Sequence, residues 1–470
     1  MNYHELSIVE LQLLLNEGKV SSQDLVLYFL NRISQIDQGQ PKYNSIRMIN
    51  PDALFEAQYM DHLRSQKDIK GMLHGIPVLL KDNIHTKPPM KTTAGTYAFK
   101  DYIASEDAEV VRMLRSQGAI ILGKTNLTEL ANFMTQGMRN GYSAVGGDVL
   151  CAHDLLIDPS GSSAGSAVAI SLGLAPLALG TETGGSIMSP ASLNGVVGFK
   201  PTIGLVSRTG IVPISTTLDT AGPMAKTVED CAICLDAMSS IDIKDIVTLS
   251  KQDEKTIFFK SLKDDIKDLK IGIVRHKNTT QTIFNHKIDM IKQVLISKEL
   301  KVIDHLELNE PKLFFQLMLH EFKPTFESYL NTYHKNGEIH TLLDLIRFNR
   351  QYNKKTLKYG QTILQLADSY SKGDLLEPIY VKALKERSEL TTSVKDLMKK
   401  HHIDVLIFDS YTSLGPCCGF PSCTIPLGLN SDNMPDATYI ISDHYKDKEV
   451  LQIAHLLESE IGQFVNPLTK

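Results

Sequence analysis

The chain has 470 residues, a formal net charge of −5, 42% hydrophobic and 22% charged residues, six cysteines and no tryptophan. Those values exclude a disordered chain, a fibrous repeat and a disulfide scaffold. At about 150 residues per domain the length admits three domains, or one large α/β unit with an inserted segment. The mild negative charge argues against a nucleic-acid binder.

The first residues, MNYHELSIVELQLLL, lack a basic region before their apolar run. No stretch reaches the roughly 18 apolar residues of a membrane span, since Ser166–Gly180 is broken by Gly173 and Pro176. A cytoplasmic protein without a membrane partner is the expectation. The first 66 residues read as helices, with Ser22 placed to cap LVLYFLNRISQI. Short strands follow at Ile76–Leu80, before Lys81, and at Ala119–Leu122, before Gly123. A helix, Val110–Gln117, lies between them. Ser163–Leu174 reads as a buried helix of small residues and Leu177–Leu179 as a strand. VEDCAICLDAM (228–238) is apolar at helical spacing, so the Cys231/Cys234 pair reads as core rather than as a metal or redox motif. A strand at Leu269–Val274, helices to about Lys400, a strand at Asp404–Phe408 and a helix at Lys448–Ile461 complete the chain. Alternation of this kind predicts an α/β architecture around a mostly buried sheet.

Charge and glycine divide the chain. Residues 151–230 carry 9 charged residues, whereas 251–310 carry 22; 14 of the 30 glycines fall in 141–230 and only 4 in 251–400. The first segment reads as a tightly turning core and the second as solvent-facing helices.

Four motif matches compete. Gly118-AIIL-Gly123-Lys124-Thr125 fits the P-loop expression, but a helix precedes Gly118 and the intervening residues are themselves the strand. Gly161-Ser162-Ser163-Ala164-Gly165 fits a nucleophile elbow, yet turn residues precede it and no later histidine has a catalytic setting. Ser369–Lys372 with Ser431–Asn433 imitates two penicillin-recognising motifs and lacks the third. The fourth, Gly180-Thr-Glu-Thr-Gly-Gly-Ser186-Ile187, is internally consistent. Its glycines let backbone N–H groups converge beside a serine hydroxyl. A base is still required, and the candidates are Glu182 and a lysine from elsewhere. Lys81 ends a buried strand, where α/β sheets place ligands. Burial would lower its pKa; a fall from ~10.4 to ~7–8 costs about 4 kcal/mol. An ion pair with a neighbouring carboxylate is the alternative reading of Lys81.

Together GIPVLLKDNI (75–84), ILGKTNLTELANF (121–133), DPSGSSAGSAVAISLGLAPLALGTETGGSI (158–187) and PASLNGVVGFKPTIGLVSRTGIVPISTTLDTAGPMAKTVED (190–230) resemble the amidase signature family of serine hydrolases. The interval of 24 residues from Ser162 to Ser186 is the family's. LKIGIV (269–274), IDVLIFDSYT (403–412) and GFPSCTIPLG (419–428) match more loosely. The resemblance implies one amidase domain over 1–470, built on a large mixed, twisted β-sheet covered by helices on both faces. Within it, 1–66 would be N-terminal helices, 67–250 the signature core, 275–400 a variable helical region over the cleft, and 401–470 the closing strands and helix.

The resemblance also implies roles. Lys81, Ser162 in a cis peptide linkage and Ser186 would form a relay that cleaves a carboxylic amide through an acyl-enzyme on Ser186. The N–H groups of Thr183, Gly184, Gly185 and Ser186 would form the oxyanion hole, where one donor is typically worth ~10²–10³ in turnover. Ser163 would support the relay. Ala131, Asn132, Phe133 and Met134 are candidates for the pocket wall, as is the Cys417–Phe420 loop. Phe314, Phe315, Phe326 and Tyr329 could line an acyl site, but the helical region's own core is the preferred reading for them. Met188 stands where many members have Arg. The TETGGSI form is most similar to the peptide-amidase branch. A small-molecule or peptide amide is the expected partner, with no metal, no cofactor and no obligate protein partner. The alternatives are the A-type component of a tRNA-dependent glutamine amidotransferase, whose members commonly carry D-T-G-G-S-I-R, and a non-catalytic protein on the same fold.

Overall fold

Short apolar runs bounded by turn residues become the middle of one sheet. The computed structural model of the chain describes residues 1–250, 256–275 and 282–469. Its strands are β1 (Ile46–Ile49), β2 (Pro77–Lys81), β3 (Ile120–Thr125), β4 (Leu177–Glu182), β5 (Val197–Lys200), β6 (Thr220–Ala225), β7 (Lys270–Val274), β8 (Lys301–Leu306), β9 (Val405–Phe408), β10 (Ser422–Leu429) and β11 (Pro435–Ile441). All belong to one sheet in the order β1-β3-β2-β4-β6-β5-β10-β11-β9-β7-β8. The sheet is mixed: β2 runs parallel to β3 and β4, and β7 to β8 and β9, whereas the other pairs are antiparallel.

Alternate residues of a strand face opposite sides, and both sides are filled. Val78 and Leu80 join a core under the Glu109–Ser116, Val228–Met238 and Asp447–Ile461 helices. Leu79 points the other way, among side chains of the Ala53–Ser65 and Ala164–Ser171 helices. The second of these is buried on every face, as its small residues predict. A third core, around Phe322, Phe326 and Leu330, lies within the cover formed by the Phe314–Tyr333, Leu342–Gln351 and Thr362–Tyr370 helices.

Several expectations shift. The cap of the Ser22–Arg32 helix is Ser21, because Asp24 three residues later completes a capping box; Ser22 is buried. β4 extends through Glu182, since Gly180, Thr181 and Glu182 pair with Gly222, Ala221 and Thr220 of β6. Both stretches expected to be all helical contain a strand: residues 1–66 hold β1, and the stretch up to Lys400 holds β8, an edge strand whose polar residues conceal its alternation. Gly118 adopts φ +82 at the end of its helix, and Gly123 and Lys124 lie within β3, so no phosphate cradle exists there. Asp432 and Asn433 form a turn, the first donating its N–H to the Asn430 side chain and the second to the Asn430 carbonyl. All six cysteines are buried and none is in a disulfide. Among the described residues no helix is long and apolar enough to cross a membrane, and no cluster of His, Cys, Asp and Glu could hold a metal ion.

Candidate active site

Because β2 and β4 are parallel neighbours, their carboxyl ends share one edge of the sheet. β2 delivers Lys81 there, and β4 delivers Thr181 and Glu182 and then the turn 183–187. Lys81 is fully buried. Its Nζ is hydrogen-bonded to Ser162 Oγ at 2.7 Å, to Thr181 Oγ1 at 2.8 Å and to the Thr181 carbonyl at 3.2 Å. Asn83 Nδ2 donates to the same Thr181 hydroxyl at 2.9 Å and fixes its direction. Burial brings the Lys81 ammonium down to about 7, against the opposing pull of Glu182 and Asp219.

Ser162 follows a cis Gly161–Ser162 peptide, and Gly161 packs against the Thr128 hydroxyl where a Cβ would collide. Ser163 takes no part in an elbow. Its hydroxyl donates to the Thr181 carbonyl at 3.1 Å and accepts from the Thr181 N–H at 3.3 Å. Its own N–H donates to the Ser186 carbonyl at 3.2 Å, tying the segment of Ser162 to that of Ser186. Ser186 is the one partly exposed member of the Lys81, Ser162 and Ser186 group.

Two carboxyl groups shape the turn after β4. Glu182 accepts from the N–H groups of Ile187 at 2.7 Å and Met188 at 3.0 Å, and the Gly185 N–H faces it as well. Asp219 accepts from the Thr183 hydroxyl at 2.5 Å and from the N–H groups of Ile214 at 2.7 Å and Ser215 at 2.9 Å. Although the cleft leaves it partly open, protein surrounds Asp219 and raises its carboxyl to about 6. Gly185 adopts φ +102, and a Cβ there would lie 2.5 Å from the Tyr411 hydroxyl. Among the described residues, no protein acceptor takes the N–H groups of Thr183, Gly184 and Ser186. These three N–H groups belong to one turn, and the Gly185 N–H, expected to join them, faces Glu182 instead.

A cleft of about 420 Å³ opens beside this edge, lined among others by Asn83, Ala131, Thr183, Asp219, Tyr329 and Tyr333. Of the four expected wall residues, Ala131 lines it. Asn132 faces solvent, and Phe133 and Met134 are buried in the cover's core, where the Phe133 ring lies 4.7 Å from Phe322. Phe326 belongs to that core too, stacked on Phe322 at 5.2 Å. Tyr329 is shared: its ring borders the cleft, and its hydroxyl is hydrogen-bonded to His85 Nε2 at 2.7 Å. Phe314 lies against Gly184. Cys417, Cys418 and Phe420 are buried away from the cleft lining. Sequence reasoning assigns no role to Thr181, Asn83 or Asp219. Their signals are modest, a hydroxyl in a buried strand and single polar residues beside Lys81 and within LDTAGP.

Comparisons with known proteins identify the family. A family profile described as Amidase matches residues 24–417. The crystal structure of native peptide amidase from Stenotrophomonas maltophilia superposes with a TM-score of 0.90 at 34% identity, covering 98% of this chain and 97% of that one. A probable amidase from Arabidopsis thaliana is 31% identical over 97% of this chain and 90% of its own length. The A-type component of a glutamyl-tRNA(Gln) amidotransferase, from Alkaliphilus metalliredigens, is 30% identical over 99% of this chain and 98% of its own length. With a match over most of its residues and relatives aligned nearly end to end, the chain belongs to the amidase family.

Proposed function

We propose that the protein hydrolyses a carboxylic amide to an acid and ammonia or an amine, through an acyl-enzyme on Ser186. The carrying observation is the buried Lys81 amine, lowered to about 7 and hydrogen-bonded to Ser162. In its neutral form Lys81 takes the Ser162 proton as Ser162 takes that of Ser186, whose Oγ bonds to the amide carbon. The carbonyl π electrons pass to the oxygen, which the free N–H groups of Thr183, Gly184 and Ser186 stabilise. Collapse breaks the C–N bond while the proton returns through Ser162 to the leaving nitrogen. Water then attacks the ester and gives a proton to the same relay; collapse breaks the bond from the acyl carbon to Oγ, the relay returns that proton to Ser186 Oγ, and the acid leaves.

Similarity to a peptide amidase makes a peptide amide the first substrate to try. Incubation of the isolated chain with a C-terminally amidated peptide should yield the free acid and ammonia, and Ser186→Ala should yield neither. Full-length similarity to the A-type components of amidotransferases favours a second reading, in which glutamine is the amide and a partner receives the ammonia. Met188 stands where those components commonly have Arg, which supports the first reading. Glutamine hydrolysis that requires added partner proteins would establish the second.

A further inference from the structure

The cleft wall formed by residues 214–219 is gripped from both sides. From within, Asp219 binds the N–H groups of Ile214 and Ser215 and reaches the Thr183 hydroxyl. From without, Glu321 of the Phe314–Tyr333 helix binds the same segment. This carboxyl group is fully buried. It accepts from the Ser215 hydroxyl, from the Thr217 N–H at 3.2 Å and from the Thr217 hydroxyl at 2.8 and 3.0 Å. A further bond comes from the Tyr380 hydroxyl at 2.9 Å, on the Pro378–His401 helix. Among the described residues it makes no ion pair, so hydroxyl and amide donors carry its desolvation cost. The Phe314–Tyr333 helix also lies against the turn directly, because a Cβ on Gly184 would lie 3.1 Å from the Phe314 ring and 3.7 Å from Met318 Sδ.

We propose that Glu321 is a positioning residue for the oxyanion turn. It fixes Ser215 and Thr217, which holds Asp219 against Thr183, so the helical cover and the reacting edge of the sheet are set by one chain of hydrogen bonds. A carboxyl group that merely stapled the cover to the wall would affect stability alone. A positioning group must alter how well the turn stabilises developing charge, and its effect must pass through Thr183. The inference rests on reading the N–H groups of Thr183, Gly184 and Ser186 as the oxyanion donors.

The test is the saturation kinetics of Ser186 labelling by phenylmethanesulfonyl fluoride on the full chain, followed by intact mass. Glu321→Gln keeps the shape and removes the charge. Its saturating rate should fall about tenfold, the effect of one hydrogen bond to a charged group, with half-saturation within about twofold of wild type. In a Thr183→Val background the same substitution should cost nothing further. Wild-type kinetics in folded Glu321→Gln, or a full tenfold loss that persists in Thr183→Val, overturns the proposal. Should Glu321→Gln not fold, Thr217→Val releases the same grip and is held to the same two outcomes. A wild-type protein that takes no label at Ser186 overturns the reading of the site and this inference with it. Labelling that ignores residue 321 overturns this inference alone.

Discussion

Lys81 and Ser162 are 81 positions apart, yet Nζ and Oγ lie 2.7 Å from each other inside the protein. Two features bring them together. β2 ends at Lys81 beside β4, and Ser163, next to Ser162, is pinned to Thr181 of β4. Strand pairing therefore registers the Lys81–Ser162 contact on which the proposed relay depends.

That relay should respond to pH. Lys81 must be neutral to accept a proton, and its pKa lies at about 7. The rate of Ser186 labelling should rise about tenfold per unit below that pH and level off above it. A profile governed by an unperturbed lysine would go on rising toward about 10.4. Lys81→Ala should abolish the dependence along with most of the rate.

Burying Lys81 should also cost stability. Its folded pKa is lowered, so between about 7 and 10.5 the unfolded chain binds more protons and stability rises with pH. The cost is complete below about 7, at roughly 5 kcal/mol, and vanishes above the unfolded value. Lys81→Met, which keeps the bulk and removes the charge, should raise the thermal midpoint at pH 7 and have a smaller effect at pH 10. A gain that does not depend on pH would contradict this account.

Gly185 is held at a positive φ with the Tyr411 hydroxyl 2.5 Å from where a Cβ would stand. Gly185→Ala should therefore cost about 1–3 kcal/mol in backbone strain, with a further steric penalty, and displace the turn. Labelling of Ser186 should fall at least about a hundredfold, in line with a lost oxyanion donor. Adding Tyr411→Phe should recover part of the loss. Circular dichroism and labelling rate together check this.

Phe326 separates core from cleft. It is fully buried and stacks on Phe322 and Phe99. Phe326→Ala should destabilise the protein by about 3–5 kcal/mol and leave the half-saturation for a small sulfonyl fluoride near wild type. A selective change in half-saturation with no loss of stability would place the ring in the substrate site instead.

These residues show what a sequence discloses. Strands β2 and β3 and the helix that follows Ser163 are local, because a short apolar run or a small-residue periodicity can be read one segment at a time. Lys81, Ser162 and Ser186 stand out for the same reason, each beside glycines or at a strand end. Asp219 is different: its meaning comes from Thr183 and from its own loop folding back, and no spacing reports that. Phe133 and Met134 follow closely on Ala131 in the chain, but they turn into the cover's core after three consecutive left-handed residues, Leu130, Ala131 and Asn132. A backbone reversal of that kind, made by residues other than glycine, leaves no mark in composition. Glu321 is equally silent, since a lone glutamate in a charged helical region reads as solvated surface until Ser215, Thr217 and Tyr380 surround it.

The measurement that bears most directly on the central claim is intact mass with peptide mapping after treatment with phenylmethanesulfonyl fluoride, on the wild type and on Lys81→Ala. A single adduct on Ser186 that is absent from Lys81→Ala is the expected result. An adduct on Ser163, or one on Ser186 that forms equally fast without Lys81, would contradict the relay.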